Sequence, residues 1–344
     1  MDSLSILQTN LLSVPVLCFG LGLLAVALRS DLKIPPPLYA ALTIYLLLAI
    51  GLKGGVALSE TSVGAFVRPL AVSFLLGLGI PLWVYAASRL LGRLSAADAG
   101  GLAAHYGSVS AVTFLACQTV LDLSAIPYEG FMPALMAVLE VPSIVVGLLL
   151  ARRAMALERE RSSLDGGAAQ AGVEQEGPGG LGPLLHEVLT GRSILLLGGG
   201  LLMGWLAGAE RASAVAPFFV APFQGVLALF MIEMGMLAAH RIAVLRHAGV
   251  FVIGLGVVAA VVNGTLGVYL GHWAGLSVGG AALLGTLAGS ASYIAATAAC
   301  RVALPEANPG IYLGAALGVT FPFNLALGIP YYVWLAAAIQ PAGG

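Results

Sequence analysis

A short run of small and polar residues, Gly107-Ser108-Val109-Ser110-Ala111-Val112-Thr113, interrupts an apolar stretch long enough to cross a bilayer. Glycine, serine and threonine weaken a helix and leave backbone N–H and C=O groups free. In hydrocarbon such groups are tolerated only where protein or a water-filled cavity covers them. The same pattern returns as Gly289-Ser290-Ala291-Ser292-Tyr293-Ile294, so that a shift of 182 residues sets Ser108 on Ser290, Ser110 on Ser292, Ala116 on Ala298 and Pro127 on Pro309. Matched interruptions in two halves of a membrane protein are the strongest pointer in a sequence to a substrate site. The bland alternative is that Gly and Ser only let helices pack closely; the second copy favours the site.

The membrane assignment rests on composition. Of the 344 residues 59% are hydrophobic and 9% are charged, with a mean hydropathy of +0.99. Soluble domains carry roughly 25% charged residues. A net charge of −1 and the lack of a basic patch give no footing for nucleic acid. Cys18, Cys117 and Cys300 lie apart in apolar runs, with neither metal-site nor disulfide spacing. The first apolar run has no basic residue before it and no cleavage motif before Arg29. It reads as a first span and not as a signal peptide.

Ten spans are predicted, at 11–28, 38–52, 67–90, 98–121, 128–150, 192–208, 216–237, 246–272, 279–303 and 310–338. The second ends at Gly51-Leu52-Lys53-Gly54-Gly55, and its Ile50-Gly51-Leu52 matches Met234-Gly235-Met236 of the seventh. No lysine lies inside a predicted span. Residues 152–190 form a polar, low-complexity linker whose first part, with charges of alternating sign, can extend the fifth helix. The expected architecture is all-α: two five-helix repeats, 1–151 and 191–344, joined by the linker 152–190.

With the N-terminus outside, only Lys53, Arg68 and Arg211 of the 15 Lys and Arg residues fall in the outer loops; Arg246 and the rest fall in the inner ones. The positive-inside rule then puts both termini outside and the linker in the cytoplasm. An odd number of spans per half makes the repeat inverted, with helices four and nine broken and crossing.

Freed N–H groups and half-helix ends at the two breaks suit an anion of low charge density. The expected binding residues are Gly107, Ser108, Val109, Ser110, Gly289, Ser290, Ala291, Ser292 and Tyr293. Tyr293 reads equally as a packing aromatic. Glu140 and Glu233 lie inside spans, where a carboxylate costs about 2.5 kcal/mol or more on insertion scales and faces an interior or a water path. Each reads as a cation ligand or proton carrier, or as a neutral acid satisfied locally; Glu140 is the better functional candidate, since Pro142 frees a nearby carbonyl. Thr113, Thr297, Asn263 and Asn324 offer oxygens for sodium, or simple interhelical hydrogen bonds. Asn324, two residues after Pro322, has the best case. His105 reads as a helix-end residue satisfied by backbone, and Arg301 as an interface residue. HExxH, Gly-x-Ser-x-Gly and phosphate-loop motifs are missing from the sequence, so no enzyme is expected.

The stretch Gly100-Gly101-Leu102-Ala103-Ala104-His105-Tyr106-Gly107-Ser108-Val109-Ser110 resembles the fourth span of the SbtA-type sodium-dependent bicarbonate transporter family. Pro127-Tyr128-Glu129, Ala307-Asn308-Pro309 and Ile50-Gly51-Leu52-Lys53-Gly54-Gly55 resemble it too. The resemblance implies an inner-membrane symporter with core and gate parts, assembled as a homotrimer, with sodium as coupling ion. It implies bicarbonate between the broken helices, at Ser108, Val109, Ser110, Ser290, Ala291 and Ser292. It also implies a PII-like regulatory protein on the cytoplasmic side. Glu140 matches the family's acidic residue in the fifth span. Where cyanobacterial members have an acidic Ser-Ser-Asp-type stretch in the ninth span, this chain has Ser290-Ala291-Ser292-Tyr293. The expected metal ligands are Glu140, Thr113 and Asn324. Other readings are an organic-anion or proton-coupled carrier, and a non-transporting anion sensor.

Overall fold

Apolar runs with helix-forming Leu and Ala, punctuated by Ser and Pro, give helices and turns throughout the described residues of the computed structural model, 3–165, 181–245 and 249–339. Residues 166–180 of the linker and Arg246 lie outside them. The helices are α1 (Ser3–Leu11), α2 (Val14–Ala27), α3 (Pro36–Ser59), α4 (Val63–Leu90), α5 (Ala96–Gly107), α6 (Ala111–Leu123), α7 (Met132–Asp165), α8 (Leu181–Thr190), α9 (Arg192–Ala212), α10 (Ala216–Phe219), α11 (Phe223–Leu245), α12 (Val250–Trp273), α13 (Val278–Ala288), α14 (Ala295–Ala303) and α15 (Pro309–Ile339). Seven among the described residues are long and apolar enough to cross a membrane; α1 and α2, bent by 59°, make an eighth if taken as one span. Two wider i→i+5 stretches, Gly314–Thr320 and Asn324–Gly328, flank Pro322 within α15. Such bulges gather at functional places in helices.

The helices sort into two groups. In one, α3 lies along α9 and α2 along α11; in the other, α4, α5 and α7 pack together and α12 packs on α13. The first group is held by glycines. A Cβ at Gly55 would sit 2.1 Å from the Leu201 carbonyl, and one at Gly235 would sit 2.1 Å from that of Phe19. Backbones at that separation gain dispersion contact that lipid cannot replace.

This packing corrects the predicted end of the second span. Gly51, Gly54 and Gly55 do not stop the helix, because they face α9 and Pro133. The helix runs on to Ser59 and takes Lys53 with it, exposed. Gly55→Val is expected to cost about 1–3 kcal/mol through overpacking. Gly20→Val, which meets nothing within 4 Å, is the control. Thermal midpoints of the two purified variants check this, and equal midpoints would refute it.

Other boundaries shift as well. The fifth predicted span, 128–150, begins at Met132 and runs to Asp165, so the charged start of the linker does extend it. Arg89 pairs with Glu158, and Arg159 with Glu306 at 3.3 Å. These contacts tie the extension to the end of α4 and to the turn before α15. The seventh, 216–237, begins at Phe223, because residues 216–219 form the separate short helix α10 and the chain turns at 220–222.

Candidate functional site

The predicted fourth span is two helices, α5 and α6, parted by Ser108–Ser110 in extended conformation. Serines begin both halves: Ser95 Oγ accepts from Asp98 N–H, and Ser110 Oγ from Thr113 N–H at 3.1 Å. The predicted ninth span is likewise parted, between Ala288 and Ala295, and α13 is capped by Ser277. Side-chain caps supply acceptors for N–H groups that a helix start leaves free. Gly107 and Gly289 serve packing here. A Cβ at Gly107 would sit 2.8 Å from Pro81, and one at Gly289 would sit 2.4 Å from the Tyr332 hydroxyl.

The two breaks meet. Ser110 N–H donates to Ser290 Oγ at 2.9 Å, and Ser292 N–H donates to the His105 carbonyl at 2.8 Å. Ser290 Oγ in turn donates to the Leu287 carbonyl at 2.8 Å. Asn324 holds the second break from behind: its Nδ2 donates to the Gly289 carbonyl, while its Oδ1 accepts from Tyr332, both at 2.9 Å. His105 is buried with Nδ1 on the Gly101 carbonyl at 2.6 Å and Nε2 3.1 Å from Thr297 Oγ1, the backbone-satisfied role expected of it.

Three hydroxyls beside the breaks, those of Ser108, Thr113 and Tyr293, are buried with no hydrogen-bond partner among the described residues. An unsatisfied buried polar group costs about 1–3 kcal/mol; of the three, Tyr293 lines a small cavity between the breaks, whereas Ser108 and Thr113 do not. Ser110, Ser292 and Tyr293 line this cavity, of about 20 Å³, together with Val109 and Glu140. That is room for one water-sized species. Glu140 is 7% exposed and makes no hydrogen bond or ion pair with any described residue. Of the other expected cation ligands, neither Thr113 nor Asn324 lines this cavity.

The opposite wall comes from the other helix group: Leu47 of α3, and Ser193 and Leu197 of α9. These three residues carry no motif; Ser193 was legible only as a polar residue at a helix start. Two wider cavities flank the small one. One, of about 480 Å³, reaches Tyr39, Arg192 and Arg301. The other, of about 230 Å³, reaches Lys53, Gln118, Asp122 and Tyr128. Burial, with the Asp122 carboxylate that accepts its hydroxyl at 3.0 Å, pushes the Tyr128 phenol up. Tyr39, Leu47 and Lys53 lie in that order along α3. At 1.5 Å per residue the wide cavities stand about 12 Å and about 9 Å either side of Leu47 along the helix axis.

Broken helices meeting at an ion-sized cavity between two helix groups, with an open cavity toward each end, define a multi-pass membrane transporter. The chain belongs to the Na+-dependent bicarbonate transporter superfamily, which it matches over residues 15–337. A comparison with curated proteins found no match.

Proposed function

We propose that this protein carries bicarbonate and sodium together, with Glu140 holding the cation in the small cavity. The observation that carries the reading is a buried carboxylate without a partner among the described residues, opening on an ion-sized space beside Ser110 and Ser292 of the two breaks. Sodium is a hard cation that takes oxygen ligands, and a carboxylate in a span is costly unless it serves such a purpose. Thr113 adds an oxygen once its helix shifts, while Asn324 acts by positioning the Gly289 carbonyl. The anion seat comprises Gly107, Ser108, Val109 and Ser110 on one break, and Gly289, Ser290, Ala291, Ser292 and Tyr293 on the other. A planar four-atom anion exceeds about 20 Å³, so the two helix groups separate to admit it. The α2, α3, α9 and α11 group is then the gate, moving against a core that holds the breaks.

Ten spans arise if each broken pair, α1–α2, α5–α6 and α13–α14, counts as one and α10 joins α9. An inverted 5+5 repeat, 1–151 and 191–344 about the linker 152–190, is supported by reciprocal contacts. The first span packs on the seventh as the sixth packs on the second. Ser277 N–H donates to Glu129 Oε1 after the first break, and Asn308 N–H after the second donates to Asp98 Oδ1, both at 2.7 Å. The capping serines Ser95 and Ser277 again differ by the shift of 182. Both termini outside, a cytoplasmic linker, a homotrimer in the inner membrane and a PII-like partner complete the reading.

Uptake of labelled bicarbonate into liposomes holding the purified protein tests it. Uptake that rises with an inward sodium gradient is expected. No uptake from folded protein would sink bicarbonate as cargo. Uptake that follows a proton gradient and ignores sodium would favour the proton-coupled reading, with Glu140 as the proton carrier.

A further inference from the structure

The wide cavity at the Arg192 end has a chemistry of its own. It measures about 480 Å³, within the size range of small-molecule sites and far larger than one bicarbonate needs. Two guanidinium groups lie on it, those of Arg192 and Arg301. Neither makes an ion pair or hydrogen bond with any described residue. Glu233, one turn beyond the Phe230 that stacks on Tyr39 at 5.3 Å, pairs with neither.

The wall also contains the start of α9, Gly191 to Ile194. This helix of 21 residues has no side-chain cap, so its first N–H groups and the positive end of its dipole are left for a ligand. Two hydroxyls point the same way independently. Ser193 is 6% exposed and Tyr293 is 8% exposed; both line the cavity and neither hydrogen-bonds to a described residue.

We propose that this cavity is a second anion site, adjoining the seat at the breaks along Tyr293 but centred on Arg192 and Arg301, and that it takes a small organic carboxylate. Planar guanidinium forks match the planar carboxylate head. Val188, Ile194 and Val302 give the walls an apolar face that a hydrocarbon body can cover and a bare inorganic ion cannot. The cavity shares Ser193, Tyr293 and Ile294 with the small one. An occupant therefore stands on the route to the breaks and inhibits flux from that side; this consequence alone rests on the transport reading above.

The test is ligand-induced thermal stabilisation of the purified full chain, titrated with succinate and separately with bicarbonate, with chloride at matched ionic strength as control. Saturable stabilisation by succinate is expected in the wild type and in Ser110→Ala. In Arg192→Gln with Arg301→Gln the half-saturating concentration is expected to rise at least tenfold, and the paired Arg→Lys variant falls between. Both arginines are exposed, and unliganded midpoints equal to wild type verify folding. An unchanged succinate response in the double variant, an equal response to chloride, or loss of the response in Ser110→Ala would overturn the proposal. A response to bicarbonate without one to succinate would overturn the organic class. Binding is read without flux, so failure here and failure of the transport reading are separable.

Discussion

Glu140→Gln abolishes sodium-driven bicarbonate uptake while leaving the protein as stable as before or more so. The two halves of that expectation come from one fact. Glu140 is buried on the small cavity and makes no hydrogen bond or ion pair with a described residue. A carboxylate that holds nothing in the protein contributes no contact to folding, and removing its charge relieves a cost of about 2.5 kcal/mol on insertion scales. Losing the ligand itself is expected to weaken sodium binding on the order of 100-fold or more, since even outer-shell changes cost metal sites about 10–100-fold. Glu140→Asp keeps the charge but withdraws it by one methylene, and an intermediate sodium dependence is expected. Uptake at several sodium concentrations, with thermal midpoints on the same preparations, checks both halves. Full sodium dependence in Glu140→Gln would remove this residue from the site.

The serines of the breaks are expected to divide into two kinds. Ser290 Oγ accepts from Ser110 N–H and donates to the Leu287 carbonyl. Ser290→Ala orphans a buried N–H at the meeting of the breaks, so a stability loss of about 1–3 kcal/mol is expected, with uptake falling as the seat loses its shape. Ser108 Oγ is as deeply buried and has no partner among the described residues. Ser108→Ala removes an unsatisfied group, so stability is expected to hold or rise while uptake falls through loss of a direct anion donor. Ser290→Thr keeps the hydroxyl and should recover part of the stability. The signature is opposite signs on stability with the same sign on uptake. If Ser108→Ala left uptake intact, that hydroxyl would be excluded from the seat.

Much of this was legible in the chain. The breaks at 108–110 and 289–294 were legible because small and polar residues cannot sustain a helix across hydrocarbon, and this is a local property. Glu140 stood out because a carboxylate in an apolar run is costly wherever it falls. The charged residues after Ala151 carried the helical extension of α7 for the same local reason. Other points were not legible. Gly51-Leu52-Lys53-Gly54-Gly55 reads as a stop by propensity, yet the helix continues, because glycine lets α9 approach to a distance that outweighs its backbone entropy. Asn324 has the right chemistry for a cation, but both ends of its amide are taken by Gly289 and Tyr332. Leu47, Leu197 and Ser193 form one wall of the small cavity without any pattern that sets them apart.

By itself the sequence determined that the protein lives in a membrane, where its helices interrupt, and which carboxylates fall within apolar runs, since hydropathy, helix propensity and the cost of a charge in hydrocarbon act residue by residue. It did not determine that Glu140 is buried and Glu233 only partly so. Only the tertiary structure decided which of the polar groups stay without a partner, and a group becomes a candidate ligand only by that test. Partnership depends on what the other half of the chain brings within about 3 Å, as Ser290 is brought to Ser110, and no local rule records that distance.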